Sequence, residues 1–201
     1  MSLVTAHLAI SLDGFVAGPD QSQEHPLGRG GARVHGWHIG DGPHHPADEE
    51  MSRRILAGNG AYVMGRNMFG PVRGEWEGDW RGWWGDEPPY HAPVFVLTHH
   101  ARAPQPMDGG TTYYFVTDGI ESAMAQARAA AGGGDVAIMG GATTINQYLA
   151  AGLIDELGLH IVPLILGAGT RLFEGVPPLK LEQVKSRPAR LVTHVTYRVL
   201  S

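Results

Sequence analysis

The chain contains no cysteine. That excludes disulfides, thiolate metal sites and a cysteine nucleophile, and it fits a reducing compartment. No apolar run reaches membrane-spanning length, and the N-terminal residues lack the charged and apolar regions of a signal peptide. A soluble, cytoplasmic protein is therefore expected. Nor is there a basic stripe. A net charge of −5 and a pI near 6.1 argue against general nucleic-acid binding. With no internal repeat, low-complexity segment or linker, the 201 residues are expected to form a single domain, 1–201.

What is present is organised around residues 135–148, DVAIMGGATTINQY. Val136-Ala137-Ile138-Met139 is too short for a helix and suits a buried strand. Gly140 and Gly141 follow, and Thr143 to Leu149 read as a helix stopped by Gly152. A strand, two glycines and a helix start can hold an anion, because glycine admits a close approach and the first helical N–H groups are unpaired. A tight turn with no ligand has the same pattern.

The remaining elements alternate. Residues 3–10 are a β-prone first strand, and Ser11-Leu12-Asp13-Gly14 turns it. Residues 18–46, rich in Gly, Pro and His, read as a long ordered loop. A helix is expected over 47–57, with Asp48, Glu49 and Glu50 at its positive end. Asp48 precedes Met51 by three residues and Ile55 by seven, so it lies on the inward stripe, whereas Glu50 points elsewhere. Capping is the competing role for Asp48. Residues 61–64 form the next strand, and Gly65-Arg66-Asn67 turns it towards a short helix.

A second long loop, 70–93, carries Trp76, Trp80, Trp83 and Trp84. It reads as a lid over the core or an interface, with a ligand-site wall as the alternative. Strands are expected at 94–97 and 112–116, then a helix opened by a capping box of Asp118 and Glu121. A long strand over 157–166 and two antiparallel strands over 181–184 and 189–200 close the chain.

This order implies an α/β fold, a mostly parallel sheet covered on both faces with an antiparallel C-terminal edge. Ligands in such sheets bind at the carboxyl ends of the strands. Four turns converge there: Asp13-Gly14, Gly65-Arg66, Thr98-His99 and Gly140-Gly141. Arg66 adds a fixed charge with bidentate geometry, so a dinucleotide is the natural ligand.

On the motifs SLDGFVAG (11–18), VMGRNMF (63–69), VFVLTHHAR (94–102), IMGGATT (138–144) and IDELGLHIVPLILGAGTRLFEG (154–175), the chain resembles the dihydrofolate reductase superfamily. Within it, the chain is most similar to the reductase domain of the bifunctional riboflavin-biosynthesis deaminase/reductase and its stand-alone relatives. The resemblance implies a three-layer α/β/α fold and NADPH as cofactor, with NADH as the alternative. It assigns Gly65, Arg66 and Asn67 to the cofactor phosphates, and Thr98 and His99 to the 2′-phosphate region. Gly140, Gly141, Ala142, Thr143 and Thr144 match the pyrophosphate turn, and Ala9, Val16 and Ala17 the nicotinamide contacts. Asp13 and Gly14 fall on the substrate side. Asp48 falls where folate enzymes carry the pterin carboxylate, which makes it a candidate for substrate binding and for the catalytic proton donor. Glu49 and a bound water are the alternatives.

The implied activity is hydride transfer from NADPH to a C=N or C=O carbon of a small heterocycle, most like 5-amino-6-(5-phosphoribosylamino)uracil. A dihydrofolate or pterin reductase and a non-catalytic dinucleotide sensor are the alternatives. The eleven histidines, including His35, His38, His44 and His45 in one loop, match no zinc spacing, so no metal is expected. No G-x-S-x-G elbow supports a serine hydrolase. The apolar segment 159–173 suits a sheet interior or a subunit interface. Relatives dimerise through this region, so a homodimer is expected.

Overall fold

The computed structural model describes residues 2–39, 45–56, 58–71 and 73–200. In chain order the elements are β1 (Val4–Ser11), β2 (Phe15–Ala17), α1 (Ala32–Ile39), α2 (Pro46–Leu56), β3 (Ala61–Gly65), α3 (Arg66–Phe69), β4 (Pro93–Leu97) and β5 (Gln105–Pro106). There follow β6 (Thr112–Val116), α4 (Ile120–Ala130), β7 (Val136–Gly140), α5 (Ala142–Ala150), β8 (Glu156–Val162), β9 (Thr170–Arg171), β10 (Lys180–Pro188) and β11 (Thr193–Leu200). Nine strands form one sheet in the order β10-β11-β8-β1-β7-β3-β4-β6-β5, while β2 and β9 pair separately. The run from β8 to β6 is parallel, and β11, β10 and β5 join it antiparallel.

Side chains alternate between the two faces, as the pleat requires. Ala6 and Leu8 of β1, Val63 of β3 and Ile138 of β7 face one core with Ala123, Met124 and Ala127 of α4 and Ile145, Tyr148 and Leu149 of α5. Burying each larger aliphatic group there is worth about 1.5–3 kcal/mol. Tyr148 is fully buried, and its hydroxyl donates to the Ile120 carbonyl at 2.9 Å, so that the polar atom is satisfied and α5 is tied to α4. On the opposite face, Tyr62, Met64, Ala137 and Met139 pack against Phe69, Tyr90, Trp76 and Trp80. Next to them Ala9 and Val162 pack on Val34 and Trp37 of α1 and Met51 of α2. The α/β/α expectation is met, with the Trp-rich segment acting as part of the second outer layer.

Several boundaries differ from the sequence reading. The expected loop 18–46 contains α1. Only Val34 and Trp37 of that helix are buried and it carries Gly36, a poor helix former, so docking on the sheet rather than helical periodicity decides its state. The strand expected over 157–166 ends at Val162, where Pro163 cannot donate; Leu164 instead bonds back to Val162 and to Leu12. That strand lies inside the sheet, between β1 and β11. The capping box at Asp118 does not form: Gly119, at φ 90, is the N-cap of α4, and Asp118 accepts from Thr117 instead. The expected end of α2 at Ala57, and His44, lie outside the described residues.

Candidate active-site cleft

A cleft of about 1140 Å³ opens at the carboxyl ends of β3, β4, β6 and β7. Gly65, Arg66 and Asn67, Thr98 and His99, and Gly141 through Thr144 border it, as do Val16 and Ala17. The sequence reading had brought these together from separate turns. The chain reverses here because β7 ends in Gly140 at φ +116, a conformation open to glycine alone, next to a cis Gly140–Gly141 peptide. Gly141 then starts α5, with free space where a side chain would stand. Its first N–H groups lack helical partners and face the side on which an anion would lie. Gly65 is needed for packing: a Cβ there would sit 2.4 Å from Thr144 Oγ1.

Arg66 defines the electrostatics of this wall. Its Nη1 donates to Thr98 Oγ1 at 3.0 Å and its Nη2 to the Gly74 carbonyl at 3.1 Å. The guanidinium lies over Trp76, 3.1 Å from the ring centre, and Arg102 approaches the same ring at 4.9 Å. Burial, and then the nearby Arg102, lower the Arg66 pKa. Its Nε is buried without an acceptor, and among the described residues no carboxylate pairs with Arg66. A half-buried cation with no carboxylate partner among the described residues, beside a helix start, fits a phosphate-bearing ligand.

The other wall presents two histidines, with a buried histidine cluster behind it. His35 and His38 of α1 border the cleft. Trp37 between them packs on His160 at 4.8 Å and His194 at 4.9 Å. His160 and His194 face each other across β8 and β11, with their Nδ1 atoms 2.9 Å apart. His194 Nε2 donates to Asp48 Oδ1 at 2.8 Å, so the contact between the two Nδ1 atoms must share one proton. His7 stacks on His160 at 5.5 Å. Burial pushes His160 well below its ordinary pKa and His7 down to about 4.

Five expected site residues do not border the cleft: Ala9, Asp13, Gly14, Asp48 and Gly140. Ala9 is buried under α1. Asp48 faces inward as its spacing indicated, and Glu50 pairs outward with Arg187. Inward, however, means towards His194, because α2 packs on the sheet face beside β11 rather than over the cleft. Asp13 is spent on its own backbone. It accepts from Ser11 Oγ at 2.6 Å and from the N–H groups of Leu166 and Gly167 at 3.0 and 2.7 Å. The Ser11 hydroxyl, more than any other contact, holds its pKa down to about 2. Gly14, at φ 89, accepts from Leu172 N–H. Together they fix the 166–171 turn whose Thr170 reaches the cleft.

Sequence reasoning did not assign His35, His38, Thr117 or Gln147 to the site, and all four are at the cleft. Thr117 had a signal, since it follows β6 as Thr98 follows β4. Trp76 and Trp80 cover the core while Trp83 and Trp84 border the cleft, so the Trp-rich segment does both things proposed for it. Among the described residues no group of three or more His, Cys, Asp or Glu is placed to hold a metal, and no helix is long and apolar enough to cross a membrane.

This architecture is that of the dihydrofolate reductase-like α/β proteins. Dihydrofolate reductase from Enterococcus faecalis, solved with NADP(H) and RAB-propyl, superposes with a TM-score of 0.57 at 15% identity over 99% of this chain and 97% of that one. More particularly, the chain belongs to the RibD C-terminal domain family, whose model matches residues 2–194. A structure described as a putative riboflavin biosynthesis protein from Shewanella sp. PV-4 is similar over 99% of both chains, at 24% identity and a TM-score of 0.68. The diaminohydroxyphosphoribosylaminopyrimidine deaminase/5-amino-6-(5-phosphoribosylamino)uracil reductase of Thermotoga maritima matches at 15% identity and a TM-score of 0.58. RibD of Acinetobacter baumannii matches at 14% and 0.63. The chain spans 57% and 59% of the lengths of these last two. No curated protein matches by sequence.

Proposed function

We propose that this protein is an NADPH-dependent reductase acting on a C=N or C=O carbon of a small heterocycle, most like 5-amino-6-(5-phosphoribosylamino)uracil. The observation that carries the reading is the contrast within one cleft. Arg66, a half-buried cation with no carboxylate partner among the described residues, stands beside the α5 start, and the apolar Val16 and Ala17 line the same cleft. Gly65, Arg66, Asn67, Thr98 and His99, with Gly140 through Thr144, would hold the phosphate-bearing parts of the cofactor. Ala9 supports the nicotinamide end from beneath. When bound, the nicotinamide supplies the hydride. The chain's own contribution is positioning: the cleft lining fixes distance and angle.

Asp13 and Gly14 serve the substrate side by holding the turn that carries Thr170. The carboxylate of Asp48 is engaged by His194 and is not part of the cleft wall, so we assign protonation of the product to a cleft water. The same engagement weighs against a pterin reductase, which would need that carboxylate free. The assay is oxidation of NADPH, followed by the loss of its nicotinamide absorbance, on adding the ribosylaminouracil phosphate. Turnover dependent on both compounds is expected. Saturable NADPH binding without oxidation on any of these heterocycles would favour the sensor alternative. A homodimer remains part of the proposal. Exposed β10, with Leu181 and Val184, is an edge that a second copy can cover, and light scattering at micromolar concentration checks it.

A further inference from the structure

We propose that His35 is the substrate-recognition residue of the cleft, with its Nε2–H committed to the Val16 carbonyl and its Nδ1 lone pair offered to an N–H or O–H edge of the substrate. The inference rests on the reductase reading and names the group that selects the substrate.

Three observations converge on it. First, the ring's orientation is fixed. Val34 and Trp37, on either side of His35 in α1, are buried to within 3% and anchor the helix to the sheet. His35 Nε2 lies 3.0 Å from Val16 O, and a carbonyl can only accept, so Nε2 carries the proton. Second, the remaining nitrogen is unspent. Nδ1 has no hydrogen-bond partner among the described residues and is not among the sealed polar atoms of the interior, while the ring borders the cleft. Third, the place is the right one. Val16 and Ala17, assigned to the nicotinamide, border the same cleft as His35, and Val16 is its hydrogen-bond partner.

The chemistry follows from the tautomer. A neutral imidazole whose one N–H is already used has no proton to give, so His35 recognises and does not protonate. Burial lowers its pKa, which keeps the ring in this neutral acceptor form. A fixed acceptor beside the apolar Val16 and Ala17 selects a ligand with a donor at that edge, such as an amino-substituted pyrimidinone. It rejects an analogue in which C–H replaces that donor, because the acceptor would then be left unpaired.

Two substitutions separate recognition from packing. In His35→Gln the amide nitrogen can keep the bond to Val16 O, but no acceptor stands where Nδ1 was. In His35→Asn the carbonyl oxygen takes the place of Nδ1, and the Val16 bond is lost. With 5-amino-6-(5-phosphoribosylamino)uracil as substrate, His35→Gln is expected to raise KM about tenfold or more, the size of one lost hydrogen bond, with NADPH affinity unchanged. His35→Asn is expected to recover most of that loss. Equal damage in both variants, or none in His35→Gln, overturns the proposal.

An independent reading uses imidazole ¹⁵N spectra of the wild-type protein titrated with 5,6-diaminouracil. A shift of the His35 Nδ1 resonance, absent when the probe is replaced by unsubstituted pyrimidine, supports the assignment. If that shift occurs in a protein that never oxidises NADPH, the reductase reading falls and the recognition role stands. If neither probe moves the resonance, the recognition role falls, whatever the turnover.

Discussion

The two walls of the cleft solve opposite electrostatic problems. The Arg66 wall concentrates positive potential, from a guanidinium with an unsatisfied buried donor, a second arginine across Trp76, and the start of α5. The histidine wall suppresses charge. Of its imidazoles, only His35 and His38 of α1 reach the cleft; behind them those of His7, His160 and His194 on β1, β8 and β11 pack on one another and on Trp37, and His194 is bonded to Asp48. One wall suits an anionic cofactor, while the other suits an uncharged heterocycle whose reacting carbon must accept a hydride. The lesson is that a single cleft can hold two dielectric characters if each is built on its own set of elements.

The comparison can be broken most severely at Gly158. A Cβ there would meet His7 Nδ1 at 2.1 Å, and that ring is pinned by its stack on His160. Gly158→Val is expected to cost about 3 kcal/mol or more, read from the urea midpoint. The folded fraction should still bind NADPH, since the Arg66 wall is untouched.

Next in size is the pH dependence of stability. His7 has an ordinary pKa of 6.5 unfolded and about 4 folded. Between those values the unfolded chain binds more protons, so stability is full above pH 6.5 and falls as pH drops towards 4. The loss from this residue is at most about 3 kcal/mol, and His160, shifted the same way, adds to it. Urea midpoints unchanged between neutral pH and pH 5 would contradict the neutral-wall description.

Arg66→Gln tests the opposite wall. It should weaken NADPH binding by roughly ten- to a hundredfold, the value of a hydrogen bond to a charged group, with little change in the urea midpoint. Asp48→Asn has the smallest expected effect. The amide can still accept from His194, so stability should fall by about 1 kcal/mol and turnover should persist. Loss of turnover with the fold intact would return Asp48 to the role of proton donor.

The same division governs what could be read from the sequence. The strands, the parallel order and the Arg66 wall were legible because each is local: an apolar run, a glycine, then a charge or a hydroxyl. Gly65-Arg66-Asn67 and Gly141 to Thr144 are contiguous stretches, and the strand-end rule alone brings them together. The histidine wall has no such signature. Asp48 and His194 are 146 residues apart, and His160 and His194 meet only through the register of β8 against β11. The inward face of Asp48 was readable from helical spacing, but which surface lay inward was a matter of helix docking. α1 was hidden for the same reason, as two buried side chains in a glycine-containing octet carry too little periodicity.

The account's central claim is that the Arg66 wall is built for a phosphate-bearing dinucleotide. Trp83 and Trp84 at the cleft provide the reporter, and titrating the protein with NADPH and then with NADH while following tryptophan fluorescence is the direct test. Saturable quenching by NADPH, stronger than by NADH and lost in Arg66→Gln, is the expected result. No saturable response to either nucleotide would contradict the claim.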